Sequence, residues 1–117
     1  MSLRINKLAG FDFNRDSGTL TLEGECKLIW SSDRLASSQF LRYLEGDSLT
    51  RLTIRINALR TCDLATRELI FNSLRLFSAR AHRSVVLISS DDSSLQRQIV
   101  VAVRAFIPSV DLAFDSL

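Results

Sequence analysis

"LTIRINALRTCDLATRELIFNSL", residues 52 to 74, changes its period partway along. Leu52, Ile54 and Ile56 alternate with Thr53, Arg55 and Asn57, so an extended chain carries its apolar residues on one face. This strand, over 50–57, is expected to be covered by helices on that face only. After a short loop beyond Ala58, the spacing becomes helical. Thr66, Ile70, Leu74, Phe77 and Ala81 share the inner side of a helix expected over 64–81. Asp63 stands at the junction, where its carboxylate can accept from the N–H groups of residues 65 or 66 as an N-cap.

Similar changes of period occur on both sides. Residues 3–13 alternate loosely through Leu3, Ile5, Phe11 and Phe13 and predict one strand or two. "RDSG" (15–18) is turn chemistry, and "TLTLEGECKLI" (19–29) alternates as the partner of a hairpin, with Gly24 marking a bulge or a close approach of another segment. "SSDRLASSQFLRYLEGDS" (31–48) predicts a helix capped by Ser31 or Ser32, ended by Gly46, and apolar along Ala36, Phe40, Tyr43 and Leu44. "SVVLIS" (84–89) is a short continuous apolar run, which predicts a strand buried on both faces. "DDSSLQRQIVVAVRAFI" (91–107) opens on capping residues rather than a metal or phosphoacceptor pocket. Leu95, Ile99, Ala102, Val103 and Phe106 form its expected inner face, with Val100 and Val101 away from it, and Pro108 stops it. "VDLAF" (110–114) closes as a last strand.

The expected order is therefore β-β-α-β-α-β-α-β: an α/β domain with a mixed β-sheet and helices mainly on one face, spanning 1–117 as one unit. Apolar residues at 46% and charged residues at 24% are the balance of a chain that folds around a core. The longest apolar runs are too short to insert in a membrane, and no signal-peptide pattern opens the chain, so a cytoplasmic protein is expected.

Composition also narrows the chemistry. The net charge of +2 comes from scattered arginines with acids nearby, not from a dense basic stripe, so nucleic acid is not an expected partner. Cys26 and Cys62 lie far apart in the chain, form no metal-ligand spacing, and are read as buried free thiols. His82 is the only histidine, which leaves metal sites and His-dependent nucleophilic catalysis a single shared residue. The glycines at 10, 18, 24 and 46 are too dispersed for a phosphate-cradling loop. No convergent set of titratable groups assembles, so neither enzyme activity nor a cofactor or metal is expected. A response-regulator receiver would need another βα unit and a suitably placed lysine, whereas only Lys7 and Lys27 are present, both early.

The order of elements and the placing of several residues resemble the STAS domain, the fold of bacterial anti-sigma-factor antagonists. In that family a strand ending near a glycine precedes the first helix, as in "LTLEGECKLIWSSDRLASSQFLRYL" (20–44). A central strand then leads into an Asp-Ser-Ser-Gly motif at the start of the second helix, the place of "LTIRINALRTCDLATRELIFNSL" here. The resemblance spans 19–114. Asp63 matches the family's aspartate, but Leu64 replaces the phosphate-accepting serine, Ala65 the second serine and Thr66 the glycine. Leu64 and Ala65 cannot carry a phosphate. Thr66 has a hydroxyl, but it is shifted by two positions and faces inward, a weak candidate.

What remains of the family's role is docking. Leu64, Glu68, Phe71 and Arg75, at spacings 0, 4, 7 and 11, form one outer stripe opposite Ile70 and Phe77. With Asp63, Ala65 and Arg67 they make the expected partner-binding residues. The resemblance implies a regulatory module acting in bacterial partner switching or signal transduction without serine phosphorylation, as a monomer or weak dimer. Its implied partner is an anti-sigma or GHKL-type kinase or a related phosphatase. The alternative is an accessory STAS subunit of a larger complex such as a transporter, in which the same stripe is permanently buried.

Overall fold

The alternating periods resolve into two layers in the computed structural model, which describes residues 2–6, 10–28, 31–46, 48–90 and 93–115. Strands β1 (Ser2–Asn6), β2 (Phe11–Asn14), β3 (Thr19–Cys26), β4 (Arg51–Cys62), β5 (Ser84–Ser89) and β6 (Asp111–Phe114) form one sheet in the order β1-β2-β3-β4-β5-β6. Helices α1 (Ser31–Glu45), α2 (Leu64–Ser78) and α3 (Ser94–Phe106) connect the strands from β3 onward. The first two strand pairs are antiparallel and the next three parallel, so the sheet is mixed. The segment expected as one strand or two is two. Each crossover advances one strand in the same direction, and crossovers of one hand then lay all the helices on the same face.

Burial follows from that layering. Leu20, Leu22, Leu52, Ile54, Ile56, Val85 and Leu87 on the covered face pack under Phe40, Leu44, Ile70, Leu74, Phe77, Ile99 and Val103 of the helices. Each such side chain contributes about 1.5–3 kcal/mol by leaving water. Phe13 meets Phe40 edge-on at 4.8 Å between ring centroids, and Tyr43 at 5.6 Å. Arg83 fixes the end of α1 by donating to the carbonyls of Leu44 (3.0 Å) and Gly46 (2.6 Å), a cation placed at the negative end of the helix. Gly10, Gly18 and Gly24 all have positive φ, and the last two bear on the strand register. Gly18 (φ +66) closes the β2–β3 turn against the backbone of Arg51, and its carbonyl accepts from the Thr53 N–H at 2.8 Å. Gly24 (φ +64) stands beside a register shift with open space where a Cβ would be, so it serves the bulge and not a close approach.

Four expectations need correction. First, β5 is not buried on both faces: Val85, Leu87 and Ser89 are buried while Val86 and Ile88 are half-buried, because the helices cover one face only. Second, α2 stops at Ser78, and Ala81 is exposed in the following turn, where His82 takes φ +62. Third, the inner face of α3 is Gln96, Ile99, Val100 and Val103; Val100 points inward and Phe106 is 77% exposed. Fourth, no loop separates Ala58 from Asp63. β4 continues to Cys62 through two register shifts against β3, each of which adds a residue to β4. The first shift restores the phase, so Leu59 returns to the covered face after Asn57.

The choice between Ser31 and Ser32 as a cap, the side chains of Leu3 and Ile5, and Lys7, Asp91 and Asp92 lie outside the described residues. Among the described residues no helix is long and apolar enough to cross a membrane.

Candidate functional site

β4 delivers Asp63 at the carboxyl end of the parallel strands, where α2 begins. Asp63 is in extended conformation (φ −84, ψ 175) and accepts from the Thr66 N–H at 2.9 Å through Oδ1, as an N-cap does. The other carboxylate oxygen has a task that spacing alone does not reveal. Oδ2 accepts from the Leu28 N–H at 3.0 Å, tying α2 to the segment between β3 and α1. The Cys26 carbonyl, at the end of β3, accepts from the Asp63 N–H at 3.2 Å. The Thr66 hydroxyl stands 2.6 Å from Asp63 Oδ1 and 3.1 Å from the Cys26 carbonyl, and its single proton serves one of the two at a time.

Partial burial pushes the Asp63 carboxyl up, but the hydrogen bonds from the Thr66 hydroxyl, the Thr66 N–H and the Leu28 N–H outweigh it. They hold the group below its ordinary value. Asp63 therefore stays ionised at neutral pH, facing the positive end of the α2 dipole. Thr66 is fully buried. A reagent reaches its hydroxyl only if the first turn of α2 opens.

The predicted outer residues line up along one side of α2. Leu64 is 71% exposed, Glu68 and Arg75 are exposed, and Ala65, Arg67 and Phe71 are half-buried. Phe71 leans on the core edge while leaving one side open. Leu64, Arg67, Glu68, Phe71 and Arg75 border a shallow groove of about 330 Å³, closed on its far side by Ala102 and Phe106 of α3. Phe106, expected inside, thus extends the apolar strip beyond α2. Val101 (65% exposed) continues it along α3. The arrangement has an apolar floor and a charged rim of Arg67, Glu68 and Arg75, and can bury the side chains of another surface without stranding a charge. Ala65, with Glu68, lies in a second groove towards α1.

One structural residue escaped the sequence reading altogether. Gln96, in the first turn of α3, is buried and donates from Nε2 to the carbonyls of Asn57 (3.2 Å) and Leu59 (3.0 Å). Its Oε1 accepts from the Ser90 N–H (2.6 Å) and stands 3.1 Å from the Ser90 hydroxyl. β5 pairs with β4 only as far as Arg55–Ile88, so beyond that pair β5 has no register partner for Asn57 or Leu59, and Gln96 donates to their carbonyls instead. The signal was a polar residue within the arc of Ile99 and Val103. Ser93 caps the same helix, accepting from the Gln96 N–H at 3.4 Å.

The two cysteines, distant in the chain, are register partners at the ends of β3 and β4. Cys26 is buried and Cys62 half-buried. Burial pushes both thiols up, with the Thr66 side chain drawing Cys26 and the neighbouring Arg67 drawing Cys62 part of the way back. No family model, no curated protein and no solved structure matches this chain.

Proposed function

We propose that this chain is a STAS-like regulatory module of the anti-sigma-factor-antagonist kind, which acts by stoichiometric binding to a partner protein. The observation that carries this reading is the strip formed by Leu64 and Phe71 of α2 with Ala102 and Phe106 of α3, rimmed by Arg67, Glu68 and Arg75. The partner, by the resemblance of the chain around Asp63, is an anti-sigma or GHKL-type kinase or a related phosphatase. At the place where that family keeps its phosphoserine, Leu64 and Ala65 offer no hydroxyl and Thr66 is sealed under Asp63. Binding is then governed by the amount of each protein or by the partner's state, not by phosphate on this junction.

The test is affinity capture with the folded chain, with partners identified by mass spectrometry and binding then measured with purified partner. Leu64→Asp and Phe71→Asp should each abolish binding while the melting temperature of the Leu64 variant stays within a few degrees of the parent. Undiminished binding by both variants would remove the strip from the interface. Incubation with the captured kinase and ATP should leave the chain unmodified; phosphate on Thr66 would overturn the proposed mode of control.

A second reading draws on Val101 and Phe106, whose exposure extends the apolar surface along α3. It makes the chain an accessory subunit of a larger assembly such as a transporter. A purified chain that sediments as a stable monomer favours the switch, and obligate co-purification with a membrane complex favours the subunit.

A further inference from the structure

Beneath the start of α2 lies a pair of groups that the docking reading does not use. Cys26 is the last residue of β3 and Cys62 the last of β4, and they face each other in register across the parallel ladder. Register partners project to the same side of a sheet, and neighbouring strands run about 4.8 Å apart. A disulfide spans Cα atoms about 4.4–6.8 Å apart, so a pair in register on adjacent strands stands within bridging range. Both side chains belong to the covered side: Cys26 is part of the core and Cys62 packs at its edge. Their exposures differ in a useful way. Cys62 is half-buried and open to a small reagent, while Cys26 is fully buried beside it in register. The last register shift in this ladder falls between the pairs Gly24–Leu59 and Glu25–Thr61, just before the cysteines. The local ladder is therefore already irregular where the strands would have to adjust.

We infer that Cys26 and Cys62 form a reversible cross-strand disulfide by exchange with a small disulfide such as oxidised glutathione. The Cys62 thiolate attacks one sulfur of that disulfide and releases the first glutathione thiol, leaving a mixed disulfide on Cys62. The Cys26 thiolate then attacks the Cys62 sulfur and releases the second glutathione. Two protein thiols are oxidised, one glutathione disulfide is reduced to two thiols, and both protons leave on glutathione. Burial holds both thiols above their ordinary value and Arg67 draws Cys62 only part of the way back, so it is the greater exposure of Cys62 that makes it the first attacker. The bond joins the ends of β3 and β4 directly under Asp63, whose N–H already rests on the Cys26 carbonyl. It fixes the platform from which Leu64 projects, whatever binds there.

The experiment equilibrates the purified full chain over a series of reduced-to-oxidised glutathione ratios, then alkylates it for intact-mass and peptide analysis. The expected product is a monomer lacking both free thiols and two hydrogens, which yields one linked peptide pair containing Cys26 and Cys62. Its melting temperature should rise by several degrees, and reduced glutathione should restore the starting mass. A Cys62→Ser variant should keep a free Cys26 thiol and melt at the same temperature with or without oxidant. Stable glutathione on Cys62 with Cys26 still free would overturn the inference, as would two copies linked through Cys62. Both failures are read on the unsubstituted chain, so they do not depend on the folding of any variant.

Discussion

At the start of α2 a half-exposed carboxylate ties helix to sheet; at the start of α3 a buried, neutral amide does so. Asp63 holds the Thr66 N–H and the Leu28 N–H, and so joins its own helix to the segment after β3. Gln96 holds two carbonyls of β4 and the backbone of Ser90, and so joins its helix to β4 and to the segment just after β5. The chemistry follows the polarity of what must be satisfied. Two N–H donors call for a pure acceptor, and an ionised carboxylate is the strongest available. Two carbonyls and an N–H call for a group that both donates and accepts, and an amide does this without burying a charge. The difference teaches where each junction is vulnerable. Gln96 guards the interior and answers to packing, whereas Asp63 stands at the surface and answers to pH.

The largest expected effect is at the buried tie. Gln96→Leu fills the space but strands the carbonyls of Asn57 and Leu59 and the N–H of Ser90. It should cost about 3 kcal/mol in urea unfolding, given about 1–3 kcal/mol for an unsatisfied buried group. A cost below about 1 kcal/mol would mean that water serves those groups equally well, and the contrast with Asp63 would fail.

Asp63→Ala comes next, at about 1–2 kcal/mol by the same measurement, since it removes a cap and the bond from Leu28. Its pH dependence separates the two junctions further. The folded carboxyl titrates below its unfolded value of about 3.9, so its ionised form is the one that folding favours. The stabilisation it gives is therefore complete above the unfolded value and is lost as pH falls through the lower folded value. Unfolding free energies measured from pH 7 downward should show the advantage of the parent over Asp63→Asn shrinking in that acid window. The advantage of the parent over Gln96→Leu should have no such contribution. A pH-independent advantage over Asp63→Asn would show that the carboxylate acts no differently from an amide.

Thr66→Val should cost about 1 kcal/mol, because the Cys26 carbonyl keeps its bond from the Asp63 N–H and only the hydroxyl is lost. Thr66→Ser should recover most of that loss, and thermal melts of the two variants side by side would show it. Leu64→Asp should change stability by no more than about 0.5 kcal/mol, since the side chain is largely in water already. A larger loss in urea would make Leu64 part of the fold and not of its surface.

The contrast also explains what could be read from the chain. The alternation from Leu52 to Asn57 and the helical spacing after Asp63 made the α/β layering legible, because each residue there keeps the polarity of its surroundings. The reading failed where polarity and position part company. Gln96 looks like a surface residue, so the pattern alone points to an arc one step round the helix, with Phe106 inside and Val100 outside, the reverse of what the structure has. The same amide binds the Asn57 and Leu59 carbonyls in the stretch where β4 shifts register against β3. That irregularity also broke the alternation beyond Asn57 and made residues 58–62 look like a loop. At the junction, the bond to the Thr66 N–H followed from spacing along the chain. The bond to the Leu28 N–H, and the pairing of Cys26 with Cys62, depend on strand register, which no local pattern carries.

Because the strands stand in the sheet in the order in which they occur in the chain, each strand leaving the ribosome meets a neighbour already synthesised. No strand must wait for a later one to be inserted beside it. Growth can run in one direction, with the open edge moving from β3 to β4, β5 and finally β6. The exception is Gln96, which emerges after β4 and β5 yet completes the backbone bonding of β4. A nascent chain cut short before α3 therefore leaves β4 with exposed carbonyls near its end. Final consolidation of that part of β4 waits for a residue of α3, made after the strand it completes.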